Sequence, residues 1–204
     1  MRVDIQNSVN KIRMEPTLVI FDLDNVIPPS KFLSSFIPFL KGRKHGFIDR
    51  TTLYFYKKLI QANLISEKQM LTELAAKYFK GVNQYILEEQ SKRFFDAHES
   101  LLLPDTTVNK IRFHQLLEHQ IVFMTSLPKN LLFSWCREKL GLLLGNELEQ
   151  KNDLLTGTLR YSSINDTLQM NWIKQKITPE YYSEVIIYSN NQQTSQQWVT
   201  YRRP

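Results

Sequence analysis

Cysteine is almost absent. One residue, Cys136, stands in 204, so no intrachain disulfide framework is possible, and a reducing compartment, the cytoplasm, is the expected location. Long apolar runs are absent too. FLSSFIPFL is the longest apolar stretch near a basic flank and is far too short to span a bilayer, which takes about 20 residues. The leading residues MRVDIQNSVNKIRMEP hold no apolar h-region, so no secretory signal is expected. His45, His98, His114 and His119 are scattered and share no metal-ligand spacing with Cys136, which argues against a zinc site. No basic stripe interleaved with aromatics is present, and no helix-turn-helix or finger pattern, so nucleic acid is the least favoured partner. There are no internal repeats, and NNQQTSQQW is too short to count as a low-complexity tract.

What remains suits one substantial core, or a core with a smaller insertion: 42% of the residues are hydrophobic. The net charge of +6 favours anionic partners such as phosphate esters or an anionic membrane surface, although a solvated basic surface explains the charge equally well. The most informative stretch is LVIFDLDNVI, residues 18 to 27. An unbroken β-branched and aromatic run, Leu18 to Phe21, predicts a strand buried on both faces, as in a parallel sheet. Such a strand delivers the next residues to the sheet edge where open α/β folds bind ligands. Here those residues are Asp22 and Asp24. At i and i+2 of an extended segment both carboxylates point the same way and repel, so the pair needs a cation or a shared proton. Mg²⁺ is the natural cation for such a site. The alternative is that the two acids simply cap a turn.

Pro28 and Pro29 lead out of this strand. Residues 30 to about 100 then read as four helices. The second has Asp49 as its expected N-cap, and the third has Ser66 with Gln69 at the capping-box spacing and a stop at Gly81. A block of helices inserted after the first strand predicts a cap, residues 30–100, on a core built from 1–29 and 101–204. Pro104 and Asp105 start a further helix; IVFMTS, 121 to 126, is a second buried strand. A helix is expected from Pro128 to Gly141, then a strand pair with turns at Lys151–Asp153 and at Gly157. SINDTLQMNWIKQKI predicts a helix, and EVIIYSNN, 184 to 191, a third buried strand ending in amides. Strands alternating with helices give right-handed crossovers and a parallel sheet. The predicted class is therefore α/β: a three-layer Rossmann-like parallel sheet with an inserted helical cap.

FDLDNVI, the helical cap, IVFMTSLP, NELEQKNDLLTGTL and VIIYSNNQQT together resemble the haloacid dehalogenase superfamily over residues 18 to 198, and within it the phosphoserine-phosphatase-like branch. The resemblance implies Mg²⁺-dependent phosphoryl transfer through an aspartyl-phosphate. Asp22 would be the nucleophile and Asp24 the acid and base. Thr125 and Ser126 would hold the phosphoryl oxygens, a role compatible with capping the following helix. The metal ligands implied are Asp22, Asp24 and Asn190, and the partner a small phosphorylated substrate.

The sequence also departs from the family. Its third motif is a Lys at the start of the helix before the last strand; the best placement here is Gln169, with Lys174 and Lys176 one to two turns farther on. Its fourth motif carries two acids, and here Asn190 and Thr194 take their places. An Asn brings an oxygen to Mg²⁺ but no charge. Losing one preorganised electrostatic contact costs about 10² to 10³ in rate. Asp153, Asp166 and Arg160 are available substitutes, with no reason in the sequence to choose among them. The expectation is a weak or atypical phosphatase; the alternative is an inactive relative that binds a phosphorylated ligand or a protein. Lys31, Lys41, Arg43, Lys44, Lys57 and Lys58 with the cap aromatics suit a phosphorylated ligand with an apolar part, or contact with a membrane surface.

Overall fold

The computed structural model describes residues 16–42, 46–160, 182–189 and 201–202. The predicted helix at 163–177 and the third- and fourth-motif positions Gln169, Asn190 and Thr194 lie outside them. Strand β1 (Thr17–Asp22) is followed by a 3₁₀ turn and by helices α1 (Pro29–Lys41), α2 (Gly46–Gln61), α3 (Glu67–Tyr78), α4 (Gln84–Leu102) and α5 (Asp105–Leu116). Then come β2 (Gln120–Pro128), a second 3₁₀ turn, α6 (Phe133–Glu138), β3 (Gly141–Lys151), β4 (Leu154–Arg160), β5 (Glu184–Tyr188) and β6 (Tyr201–Arg202). The strands form one sheet in the order β4-β3-β2-β1-β5-β6. The pairs β1–β2, β1–β5 and β2–β3 are parallel, and the outer strands β4 and β6 are antiparallel to their neighbours. This is the α/β architecture that the strand pattern predicts.

Strand β1 lies in the middle because it is apolar on both faces. Val19 and Phe21 join one hydrophobic cluster, Leu18 and Ile20 another, the two-residue alternation of a strand covered on both sides. Phe21 stacks on Tyr188 of β5 with ring centroids 4.5 Å apart. Gly141 opens β3 because a Cβ there would stand 2.2 Å from the Phe123 ring.

Three local expectations differ from what is observed. Helix α2 starts at Gly46, so Asp49 lies within it instead of capping it; cap preference is a weak signal beside the position of the helix in the fold. The expected helix after Pro128 is split at Leu132 (φ −125°, ψ −11°) into a 3₁₀ turn and the short α6. The break buries Leu131 and Leu132 together, and the Ser91 hydroxyl of α4 donates to the Leu131 carbonyl. Gly157 is not a turn between strands but a residue inside β4 with φ +83°. The real hairpin turn is Asn152–Asp153, both at positive φ (52° and 62°), as a type I′ turn requires.

The α1–α4 helices do not stand apart from the sheet. One hydrophobic cluster runs from Phe32, Phe36, Leu74 and Phe94 of the helices to Phe21, Phe123 and Leu155 of the strands. Backbone bonds join the two regions as well. Gly81 N–H donates to Leu155 O (2.8 Å), Leu155 N–H to Val82 O (2.9 Å) and Gln84 N–H to Asp153 O (2.9 Å). The α3 start has the predicted capping box: Ser66 accepts from Gln69 N–H at 3.1 Å, and Gln69 accepts from Ser66 N–H at 2.8 Å. Among the described residues no helix is long and apolar enough to cross a membrane.

Candidate active site

Asp22 is the last residue of β1 and caps the 3₁₀ turn that follows (φ −79°, ψ 99°). Its Oδ1 accepts the Asp24 N–H at 3.2 Å. Its Oδ2 accepts from Asn25 Nδ2 at 2.5 Å and from Ser189 Oγ, just after β5, at 3.3 Å. The carboxylate is thus fixed at the carboxyl end of the central strand, between the ends of two neighbouring strands.

Asp24, two residues on, faces β2. Its Oδ1 accepts the Thr125 hydroxyl and its Oδ2 accepts the Ser126 N–H, both at 2.7 Å. Thr125 Oγ1 in turn accepts the Leu127 N–H at 3.1 Å. A bulge makes this possible. The β2–β3 register runs from Met124↔Leu144 to Pro128↔Asn146, so three β2 residues oppose the single Gly145. Bulges re-aim groups at the ends of strands, and here a side chain and the next N–H converge on one carboxylate. Buried Asn146 donates its side-chain amide to the Ser126 carbonyl and holds the bulge from the β3 side. The Ser126 hydroxyl is buried and has no hydrogen-bonded partner within ordinary bonding geometry among the described residues.

Asp24 lies in a water-poor setting. Burial holds the Asp24 carboxyl above its usual range, and the bonds from Thr125 and Ser126 only partly offset this. Glu67, the first residue of α3, is also raised, by lost solvation first and then by the negative charge of Asp24.

The structure brings Asp22, Asp24, Thr125 and Ser126 into one site, although 101 positions separate Asp24 from Thr125 in the chain. Asn190 falls outside the described residues. Sequence reasoning did not single out Asn25, Asn146, Ser189 or Glu67. Asn25 and Ser189 adjoin motifs already recognised and were within reach of inspection. Asn146 and Glu67 carry no local signal, since only tertiary packing brings them here. Among the described residues no group of three or more His, Cys, Asp or Glu is placed to hold a metal.

No protein-family model matches the sequence, and no curated protein matches it significantly. Solved structures do. A protein of unknown function from Bordetella pertussis Tohama I superimposes with a TM-score of 0.71 at 14% identity, covering 86% of this chain and 82% of its own. A probable phosphoserine phosphatase from Vibrio cholerae gives 0.56 at 12% identity, over 81% of this chain and 47% of its own. A HAD family hydrolase from Salmonella enterica serovar Typhi gives 0.57 at 13%, over 85% and 56%. The chain has the haloacid dehalogenase fold. Helices α1–α4 lie in chain order between the first strand and the rest of the sheet. At these identities the likeness establishes the fold, and the chemistry has to be argued from the residues.

Proposed function

We propose that the chain is a phosphomonoester hydrolase working through an aspartyl-phosphate on Asp22. The observation that carries this reading is the pairing of a fixed carboxylate, Asp22, with a second one, Asp24, whose proton affinity is raised by burial. A nucleophile must be ionised and a general acid protonated, and different environments for two neighbouring acids achieve both. In the first step an Asp22 oxygen bonds to phosphorus and the ester P–O bond breaks, while Asp24 gives its proton to the leaving oxygen. In the second step Asp24, now a carboxylate, takes a proton from water. That water bonds to phosphorus, the Asp22–phosphorus bond breaks and inorganic phosphate leaves.

Thr125 and Ser126 keep Asp24 in place; in this arrangement their donors serve the acid, and phosphoryl oxygens would share them. Mg²⁺ is part of the proposal. The described residues fit it modestly, with the Asp22 carboxylate as the anionic ligand and substrate oxygens and water completing the shell, as Mg²⁺ commonly accepts. When bound, it neutralises phosphoryl charge beside the acids. The division into a core (1–29 and 101–204) and a cap (30–100), and a cytoplasmic setting, belong to the same reading.

A second reading has one specific observation behind it. Every donor named at Thr125 and at the Ser126 N–H is already engaged by protein, which suits a fold kept for binding and not for turnover. Hydrolysis of an aryl phosphate separates the two. Turnover that requires Mg²⁺, stops on chelation and disappears in Asp22→Asn is the expected result. Turnover equal in wild type and Asp22→Asn would sink the enzymatic reading.

A further inference from the structure

The two bonds from β2 to Asp24 meet at one peptide group, the one that joins Ser126 to Leu127. Its N–H donates to Thr125 Oγ1 at 3.1 Å. That oxygen, accepting there, turns its own hydrogen to Asp24 Oδ1 at 2.7 Å. The carbonyl of the same peptide accepts the side-chain amide of Asn146 from β3. Ser126, whose carbonyl this is, gives its N–H to Asp24 Oδ2 at 2.7 Å. The orientation of the Ser126–Leu127 peptide therefore sets where both donors point.

This peptide lies inside the bulge, where the β2–β3 ladder is interrupted. Pro128, opposite Asn146 where the register resumes, has no N–H to give to the ladder. Asn146 brings a side-chain donor to the bulge instead, and does so at depth: it is 3% exposed, and Thr125 is 2% exposed. Its neighbour Gly145 leaves the bulge its room. A Cβ there would lie 3.1 Å from Thr125 O, Thr125 Cγ2 and Leu127 O.

We infer that Asn146 is a positioning residue for proton transfer by Asp24: it fixes the Ser126–Leu127 peptide, and through it the two donors that aim the Asp24 carboxyl at the leaving oxygen. This rests on the phosphatase reading of Asp22 and Asp24. Asn146 touches Asp24 only through β2, so it acts on the geometry of the acid and takes no proton itself.

A misplaced acid leaves a signature that a loosened fold does not. Phenyl phosphate has a poorer leaving group than p-nitrophenyl phosphate and depends more on protonation as its ester bond breaks. The test compares kcat/KM for these two esters, because that ratio reports the bond-breaking step. Asn146→Leu keeps the approximate shape of the side chain and removes the donor. It is expected to lower kcat/KM about tenfold more for phenyl phosphate than for p-nitrophenyl phosphate. Gly145→Ala, which disturbs the same bulge and keeps Asn146, is expected to show the same bias. Gly157→Ala, placed in β4 and away from these bonds, is expected to lower both esters equally. Amide NMR reads the geometry without turnover: the Ser126 N–H, donated to a carboxylate, is expected to move upfield in Asn146→Leu.

Equal losses on both esters in Asn146→Leu, or a Ser126 amide that does not move, would overturn the inference and leave the phosphatase reading intact. If Asn146→Leu does not fold, Gly145→Ala decides by the same two readouts. Turnover equal in wild type and Asp22→Asn removes the phosphatase reading, and the inference with it.

Discussion

Asp24 and His114 are both removed from water, and burial favours the neutral form of each. For Asp24 this opposes the bonds from Thr125 and Ser126, and burial is the larger effect. For His114 nothing opposes it. The ring is 2% exposed and sits between His119 (Nδ1 to Nδ1, 2.8 Å) and the Tyr188 hydroxyl (2.7 Å from Nε2). A neutral imidazole satisfies both contacts with one proton in each. A second ring proton would add a charge beside His119 with no water to solvate it. Burial first and His119 second lower the His114 pKa from 6.5 to about 4. The folded state then binds fewer protons than the unfolded state, so the stabilisation is complete above pH 6.5 and is lost as pH falls toward 4. The slope is at most about 1.4 kcal/mol per pH unit. Urea unfolding of wild type and His114→Gln at pH 7 and pH 4.5 measures it: the variant is expected to be less stable at pH 7 and to show a flatter decline. An equal decline in both would remove His114 from the account.

At the scale of elements, the crossing of α3 and β4 is constrained by backbone. Gly157 has φ +83°, and a Cβ there would lie 3.0 Å from both the Ala76 Cα and the Lys80 Cβ. The left-handed backbone alone costs an L-residue about 1–2 kcal/mol, and the helix backbone cannot move away without disturbing its own bonds. Gly157→Ala is therefore expected to destabilise the protein by about 2 kcal/mol or more, seen as a lower urea midpoint at unchanged slope. Elements whose cause is local were readable in advance. The Ser66–Gln69 capping box, the Asn152–Asp153 turn and the three central strands follow from residue pattern. The split after Pro128 was not readable, because its cause is Ser91, 40 residues away. The β2 bulge escaped for the same reason: it exists only against Gly145 and Asn146 of β3.

In the whole molecule, helices and sheet share one hydrophobic cluster and are stitched by three backbone hydrogen bonds between residues 81–84 and 153–155. Glu99 of α4 adds a bond from Trp135 Nε1 at 2.6 Å and an ion pair with Lys139 at 2.7 Å. A cap that swung freely would have to break these contacts. Thermal unfolding is therefore expected to be one transition, with calorimetric and van't Hoff enthalpies equal. Two resolved transitions would mean that the cap and core are energetically separate.

The sequence alone determined the α/β class and nominated Asp22, Asp24, Thr125 and Ser126, residues that the fold brings near one another. Each depends on short-range pattern: apolar runs that must be covered on both faces, caps with fixed spacing, acids at a strand end. Tertiary structure alone decided what those acids face. Asn25 and Ser189 hold Asp22, a bulge turns Thr125 and Ser126 onto Asp24, and Glu67 arrives from α3. It also paired Lys129 with Glu147 and Arg160 with Glu149 on β3. Charge and proton affinity at a site are sums over neighbours in space, and strand crossovers make those neighbours distant in the chain.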